Sequence, residues 1–198
     1  MDNFVFKEDT HEYFLNGEKL AGVSSVLRYT GFNDISRIPE NVLEPARLFG
    51  NAVHKACELY DRGTLDIEIL DPELALYLTG WKKFLKDYKV RIVDIEKHIY
   101  SKKWKCAGTL DRIAMIGKER VLVDIKSTTT MNPAVALQTA GYKIMDEEMT
   151  GLKIHKRLGI RLLLNNYKPE PYKDKIDEIT FLSCLNVRAW KKLHNIKP

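Results

Sequence analysis

The chain has 198 residues, of which 44% are hydrophobic and 30% charged, with a formal net charge of +5. That composition has ample apolar material for a globular core, holds no run near the ~20 apolar residues of a membrane span, and starts without the basic-then-apolar layout of a secretion signal. Three scattered cysteines, Cys57, Cys106 and Cys184, argue against a disulfide framework, a zinc site or an iron–sulfur cluster and suit small buried hydrophobes. One domain over 1–198, a cytoplasmic location and no membrane partner are expected.

In chain order, Phe4 to Leu15 predicts a short strand pair with Asn16-Gly17 as a turn, and Val23 to Leu27 opens a short helix. Residues 1–43 thus read as an N-terminal hairpin and helix appended to the main unit. After Pro39 and Pro45, a helix is predicted from about Glu44 to Arg62, closed by Gly63. Asp71-Pro72-Glu73 supplies an N-cap and a first-turn proline for a second helix, running through Trp81 and Phe84 to about Tyr88. Three strands follow: Val90–Tyr100, Lys105–Ile116 and Glu119–Lys126. A third helix starts after Asn132-Pro133 and ends near Thr150-Gly151, a strand covers Arg157–Asn165, and a terminal helix, Asp174 to His194, occupies residues 174–198. The order describes an α/β fold with a mixed sheet flanked by helices.

The meander carries the chemistry. Strand alternation puts Thr109, Asp111 and Ile113 on one face, and Leu122, Asp124 and Lys126 likewise on one face. Gly117-Lys118 fits a two-residue turn with glycine first. With Ile116 opposite Glu119, Asp111 falls opposite Asp124, their Cβ atoms roughly 5 Å apart. A four-residue loop, Gly117 to Arg120, pairs Asp111 with Lys126 instead and keeps all three groups on one face. Two carboxylates that close repel, and a divalent cation resolves the repulsion with Lys126 beside it. The same pattern also fits an exposed strand face carrying a solvated Asp-Asp-Lys cluster.

Glu96, on the preceding strand, pairs near Thr109 if Ser101 to Trp104 forms the turn, which makes it a candidate third carboxylate. His54 and Glu58 share a helix face, with Gly50 one turn earlier permitting close approach. A neutral imidazole can ligate a divalent cation alongside carboxylates. Gln138 and Tyr142 share a face of the helix after Asp124; Gln138 can orient the lysine or a phosphate, and Tyr142 can contact DNA or be half-buried with an amide hydrogen bond. Basic residues gather in three runs: Lys82, Lys83, Lys86, Lys89 and Arg91; Lys102, Lys103 and Lys105 around Trp104; and Lys153, Lys156 and Arg157. Such runs can neutralise phosphates, with Trp104 stacking on a base, or form a solvated surface.

Gly50-Asn51-Ala52-Val53-His54, Glu96, Gly108-Thr109-Leu110-Asp111, Asp124-Ile125-Lys126 and Gln138-Thr139-Ala140-Gly141-Tyr142 occur in that order. Over about residues 45–165 the series resembles the PD-(D/E)XK nuclease superfamily, in the RecB-like and Cas4-like branch that includes phage exonucleases. Thr10 to Tyr13 and Gly22 to Leu27 also look like phage members of this group. Asp124 fills the D/E slot, and no cysteine cluster is present for an iron–sulfur centre. The resemblance implies a restriction-endonuclease-like αβββαβ core. It implies Mg²⁺ or Mn²⁺ held by His54, Asp111, Asp124 and the Ile125 backbone carbonyl; Glu96, from its strand position, is a candidate further ligand, directly or through water, or an exposed acid. Lys126 would position or deprotonate the attacking water, with Gln138 and Tyr142 completing the catalytic set. Lys102, Lys103, Trp104 and Tyr142 are the expected DNA contacts. The implied activity is a metal-dependent DNA exonuclease of phage or mobile-element recombination, repair or replication, with a protein partner from that process. A structure-specific endonuclease on the same fold and a non-catalytic DNA-binding module are the alternatives.

Overall fold

The computed structural model describes residues 2–36 and 38–196. β1 (Phe4–Lys7), β2 (Glu12–Leu15) and β3 (Glu18–Lys19) form a small antiparallel sheet. The β1–β2 turn lies at residues 8–11, while Asn16-Gly17 joins β2 to β3. Both turn residues have positive φ, 52° and 84°, as a tight type I′ hairpin requires. β4 (Ala21–Gly22), which the sequence does not signal, leads into α1 (Val23–Tyr29).

α2 (Glu40–Asp61) begins earlier than the expected Glu44, so Pro45 lies inside the helix rather than in its opening turn. The missing Pro45 N–H removes one helical bond near the end, which the remaining turns tolerate. In α3 (Pro72–Asp87), the Asp71 carboxylate accepts from Glu73 N at 2.8 Å and Leu74 N at 3.3 Å, the cap its sequence announces.

β5 (Arg91–Ser101), β6 (Cys106–Ile116) and β7 (Glu119–Lys126) are the expected antiparallel meander. α4 (Ala134–Thr150), ended by Gly151 at φ 68°, then carries the chain over the sheet to β8 (Lys156–Leu163), parallel to β7. β9 (Asn166–Tyr172) pairs antiparallel with β8, and α5 (Ile176–Leu193) closes the order. β9 escaped the sequence reading because Pro169 and Pro171 argue against a strand. As the last strand of the sheet β9 leaves its outer edge unpaired, and there proline is tolerated.

Helices cover both faces of the sheet. Val26, Leu110, Leu122, Met145 and Phe181 form a core on the α1, α4 and α5 side. Val53, Trp81, Phe84, Val121, Val123 and Ile160 form a second core on the α2 and α3 side. β7 is buried on both faces, and Val121, Leu122, Val123 and Ile125 supply its apolar contacts to the two cores. Gly80 lets α3 lie on the β8–β9 turn: a Cβ there would fall 2.2 Å from the Asn166 carbonyl oxygen.

One irregularity positions the site. β5 pairs along one edge of β6 from Cys106 to Met115. The other edge takes β4 at Cys106 and Ala107, then β7 from Arg112 to Ile116. Between β4 and β7, Gly108 to Asp111 face no strand on that second edge, and the sheet opens into a cleft.

Candidate active-site cleft and metal centre

The β6–β7 register runs from Ile116↔Glu119 to Arg112↔Val123, the register of the two-residue turn, with Gly117 at φ 61°. One step further, Asp111 stands level with Asp124 but outside the ladder, and its Oδ2 accepts from the Ile125 N–H at 2.6 Å. Beside it Tyr142 covers Gly108, where a Cβ would fall 2.6 Å from the ring, and the Tyr13 hydroxyl meets Thr109 Oγ1 at 3.0 Å. The cleft, 760 Å³ in volume, contains His54, Glu96, Asp111, Lys126, Gln138 and Tyr142 in its lining.

Ligand atoms of His54, Glu96 and Asp111 lie within 4.8 Å of one another. His54 Nδ1 is 3.6 Å from Asp111 Oδ1, and the Ile125 backbone is close enough to favour the imidazole's protonated form. Glu96 reaches this cluster by an unforeseen route. His98, not Glu96, pairs with Thr109, and Glu96 sits between the Ile95↔Arg112 and Lys97↔Leu110 pairs with φ 46°. That left-handed kink lies level with Asp111. Asp124 stands outside the three-residue cluster. It is 1% exposed, and Lys126 Nζ lies 2.6 Å from its Oδ2 as an ion pair rather than a directed hydrogen bond. Its Oδ1 is buried without a hydrogen-bond partner.

Burial holds His54 below its usual pKa despite the neighbouring Asp111 charge, so the imidazole is neutral and free to ligate. Burial and then the Asp111 charge push Glu96 up to about 7. Burial also pushes Asp124 up to about 7, with Lys126 opposing and Asp111 reinforcing. Burial alone would lower Lys126, but Asp124 and Asp111 outweigh it and hold the ammonium charged. An orphaned buried carboxylate oxygen, two acids raised by burial and a neutral imidazole form an oxygen-rich donor set that fits a hard divalent cation.

A pH dependence follows for the metal-free protein. Glu96 and Asp124 bind protons more tightly folded than unfolded, so their contribution is present below their unfolded pKa near ~4 and is lost as pH rises through about 7. His54 acts oppositely, but only below its unfolded value of ~6.5. In EDTA, chemical denaturation should show stability falling from pH 6 to pH 8, with each carboxyl contributing about 1.4 kcal/mol per pH unit below its folded pKa. A flat or rising profile there would contradict the burial of these acids.

A second network holds Glu96 and was not foreseen. Arg112, fully buried on β6, bonds Asp61 Oδ2 at 2.7 Å and Glu96 Oε1 at 2.8 Å, while Trp81 Nε1 donates to Asp61 Oδ1 at 2.9 Å. Burial works against the Arg112 charge, but Asp61 and Glu96 outweigh it. The available signal was an arginine within an apolar strand, since arginine is rarely fully buried unless paired.

Other predicted residues fall as follows. Gln138 Nε2 donates to the Tyr142 hydroxyl at 3.0 Å, so the amide orients the tyrosine rather than the lysine. Tyr142 is buried, and burial keeps its phenol neutral. Glu58 pairs with Lys55 and Arg62 and stands outside the ligand cluster. Gly50 is not required for close packing, because a Cβ there meets only Ser127 Oγ, at 3.7 Å. The Lys102–Trp104 turn joins β5 to β6 and lies outside the cleft lining. There Lys102 pairs with Asp2 at 2.6 Å, Lys103 covers the Trp104 ring, and Trp104 packs on the core. In the third basic run Arg157 is buried, with its guanidinium on Asp177 at 2.7 Å and on the Ala136 carbonyl at 2.7 Å. In the first, Lys83 bonds Asn166 Oδ1 at 3.0 Å and Lys82 covers Tyr60. Cys57, Cys106 and Cys184 are free thiols in the buried interior. No helix among the described residues is long and apolar enough to cross a membrane.

A mixed sheet between two helical layers, with an acidic hairpin at its open edge, is the restriction-endonuclease-like α/β architecture. Among solved structures, a "putative exonuclease" from Eubacterium rectale superposes with a TM-score of 0.57 at 12% identity, over 90% of this chain and 83% of its own. An alkaline exonuclease, LHK-Exo, from Laribacter hongkongensis aligns over 89% of this chain and 91% of its own, at TM-score 0.43 and 10% identity. No family model and no curated protein matches the sequence.

Proposed function

We propose that this chain is a divalent-metal-dependent deoxyribonuclease of the PD-(D/E)XK type that degrades DNA from its ends. The observation that carries the reading is the convergence in one cleft of His54, Glu96 and Asp111, ligand atoms within 4.8 Å, beside the ion pair of buried Asp124 with half-buried Lys126. A surface that merely binds DNA has no use for acids held in this way against their own desolvation.

His54, Glu96, Asp111, Asp124 and the Ile125 carbonyl would hold Mg²⁺ or Mn²⁺. The bound ion would polarise the scissile phosphate and make a water acidic enough to attack. Lys126 stays protonated under the Asp124 and Asp111 charges, so its role is to stabilise the negative charge that builds on the phosphate, not to remove a proton. Asp124 aims the ammonium, and Tyr142, set by Gln138, lines the path of the strand. Lys102, Lys103 and Trp104 would act only as an outer contact for longer DNA.

Linear and covalently closed circular DNA, each incubated with Mg²⁺ or Mn²⁺, separate an exonuclease from an endonuclease. Degradation of the linear form alone is expected; cutting of the closed circle would favour the endonuclease reading. Lys126→Met should lower cleavage by ~10²–10³-fold, the scale for losing a charge-stabilising donor, with metal binding retained.

A further inference from the structure

The cleft has a cationic wall that the metal centre does not use. Arg28 from α1 and Arg188 and Lys192 from α5 line the same cleft as His54, Glu96 and Asp111. Among the described residues, none of these three cations has a carboxylate within ion-pair distance. Elsewhere each buried or half-buried guanidinium is paired: Arg112 with Asp61 and Glu96, Arg120 with Asp146, Arg157 with Asp177 and Arg161 with Glu170. Arg188 is the exception, and its Nε is buried with no hydrogen-bond partner at all.

The cations also crowd one another. Arg188 and Lys192 are four residues apart, on one face of α5. Burial holds Arg188 below its usual pKa, while the Arg188 charge, then burial, then Lys19 lower Lys192. Lys19, also in the lining, is already paired with Glu12. Arg188 and Lys192, unpartnered, close together and partly desolvated, share the cleft lining with the exposed Arg28, and the three lack an anion. The guanidinium fork suits phosphate oxygens, with lysine adding a point charge.

We propose that Arg28, Arg188 and Lys192 form a phosphate subsite that grips the DNA strand away from the scissile bond. The inference rests on the nuclease reading of the cleft. It makes α5 part of the substrate site rather than a terminal appendage.

Fluorescence anisotropy in EDTA, where no cleavage occurs, tests it with 20-nucleotide single strands bearing a 5′-phosphate, a 3′-phosphate or hydroxyls at both ends. Arg188→Gln with Lys192→Gln should weaken binding about tenfold or more and lower the slope of log K against log salt by about 1–2. Arg188→Lys with Lys192→Arg should restore most of both. Lys192→Glu, at an exposed position, keeps the test intact if the Arg188 variant unfolds. A loss confined to one end-phosphate shows that the subsite holds a terminus; an equal loss on all three shows that it holds a backbone phosphate. With Mn²⁺ present, KM should rise far more than kcat falls. Parental affinity and salt slope in every folded variant would overturn the proposal. If the parent binds DNA but never cuts it with metal, the nuclease reading fails, while the EDTA titrations still decide the subsite.

Discussion

Asp124→Asn is expected to abolish metal-dependent DNA cleavage, by ~10³-fold or more, with no loss of folding stability at pH 8. The two halves of this result have one cause. Asp124 is 1% exposed, one of its oxygens lacks a partner, and burial pushes its pKa up to about 7. Ionised, it is a liability to the fold that the Lys126 ion pair offsets only in part. Asparagine keeps the shape and removes the charge, so the fold loses little. On the proposed reading, the site loses a metal ligand and the group paired with Lys126. Lys126 is not stranded, because its side chain is 23% exposed and Asp111 is close enough to support its charge. Paired measurements of cleavage rate and urea unfolding check this. Activity within tenfold of the parent, or an unfolded variant, would contradict it.

Arg112→Leu should have the opposite profile, a large loss of stability. Removing one partner from a buried ion network leaves the others charged and unpaired, which typically costs 3–5 kcal/mol. Here Asp61 and Glu96 would both lose their cation, and the Trp81 indole would bond an Asp61 left without its counter-charge. Arg112→Lys should recover less than half of the loss, because an ammonium cannot bridge both carboxylates as the guanidinium does. Asp61→Asn combined with Arg112→Met should recover more, since it removes buried charge of both signs. Urea titrations of the set measure this, and a loss below 1 kcal/mol for Arg112→Leu would contradict the network's role. Because Arg112 holds Glu96, variants that stay folded should also bind Mn²⁺ more weakly.

The centre of the site was legible in the sequence because a two-residue turn leaves little freedom. Gly117-Lys118 sets Ile116 against Glu119, and counting back brings Asp111 level with Asp124. The neighbours were harder. The left-handed φ of Glu96 has no residue-type signature, since glutamate rarely adopts it; in the structure it accompanies the Arg112–Glu96 hydrogen bond, a tertiary contact. β9 was hidden by two prolines that only an edge position tolerates. The far wall of the cleft was illegible for a third reason. Tyr13, Arg28, Arg188 and Lys192 come from the two ends of the chain, and their meeting depends on β4 joining β6 and on α1, α4 and α5 sharing a core. Lys102, Lys103 and Trp104 show the converse, where a suggestive composition sits in a turn outside the cleft lining.

The central claim is that this cleft hydrolyses DNA only with a divalent cation bound among its acids. Purified protein, incubated with end-labelled linear single- and double-stranded DNA in Mg²⁺, in Mn²⁺ and in EDTA, tests it most directly. Loss of the DNA with at least one metal, and none in EDTA, is the expected result. Intact DNA under all three conditions, or equal degradation in EDTA, would contradict it.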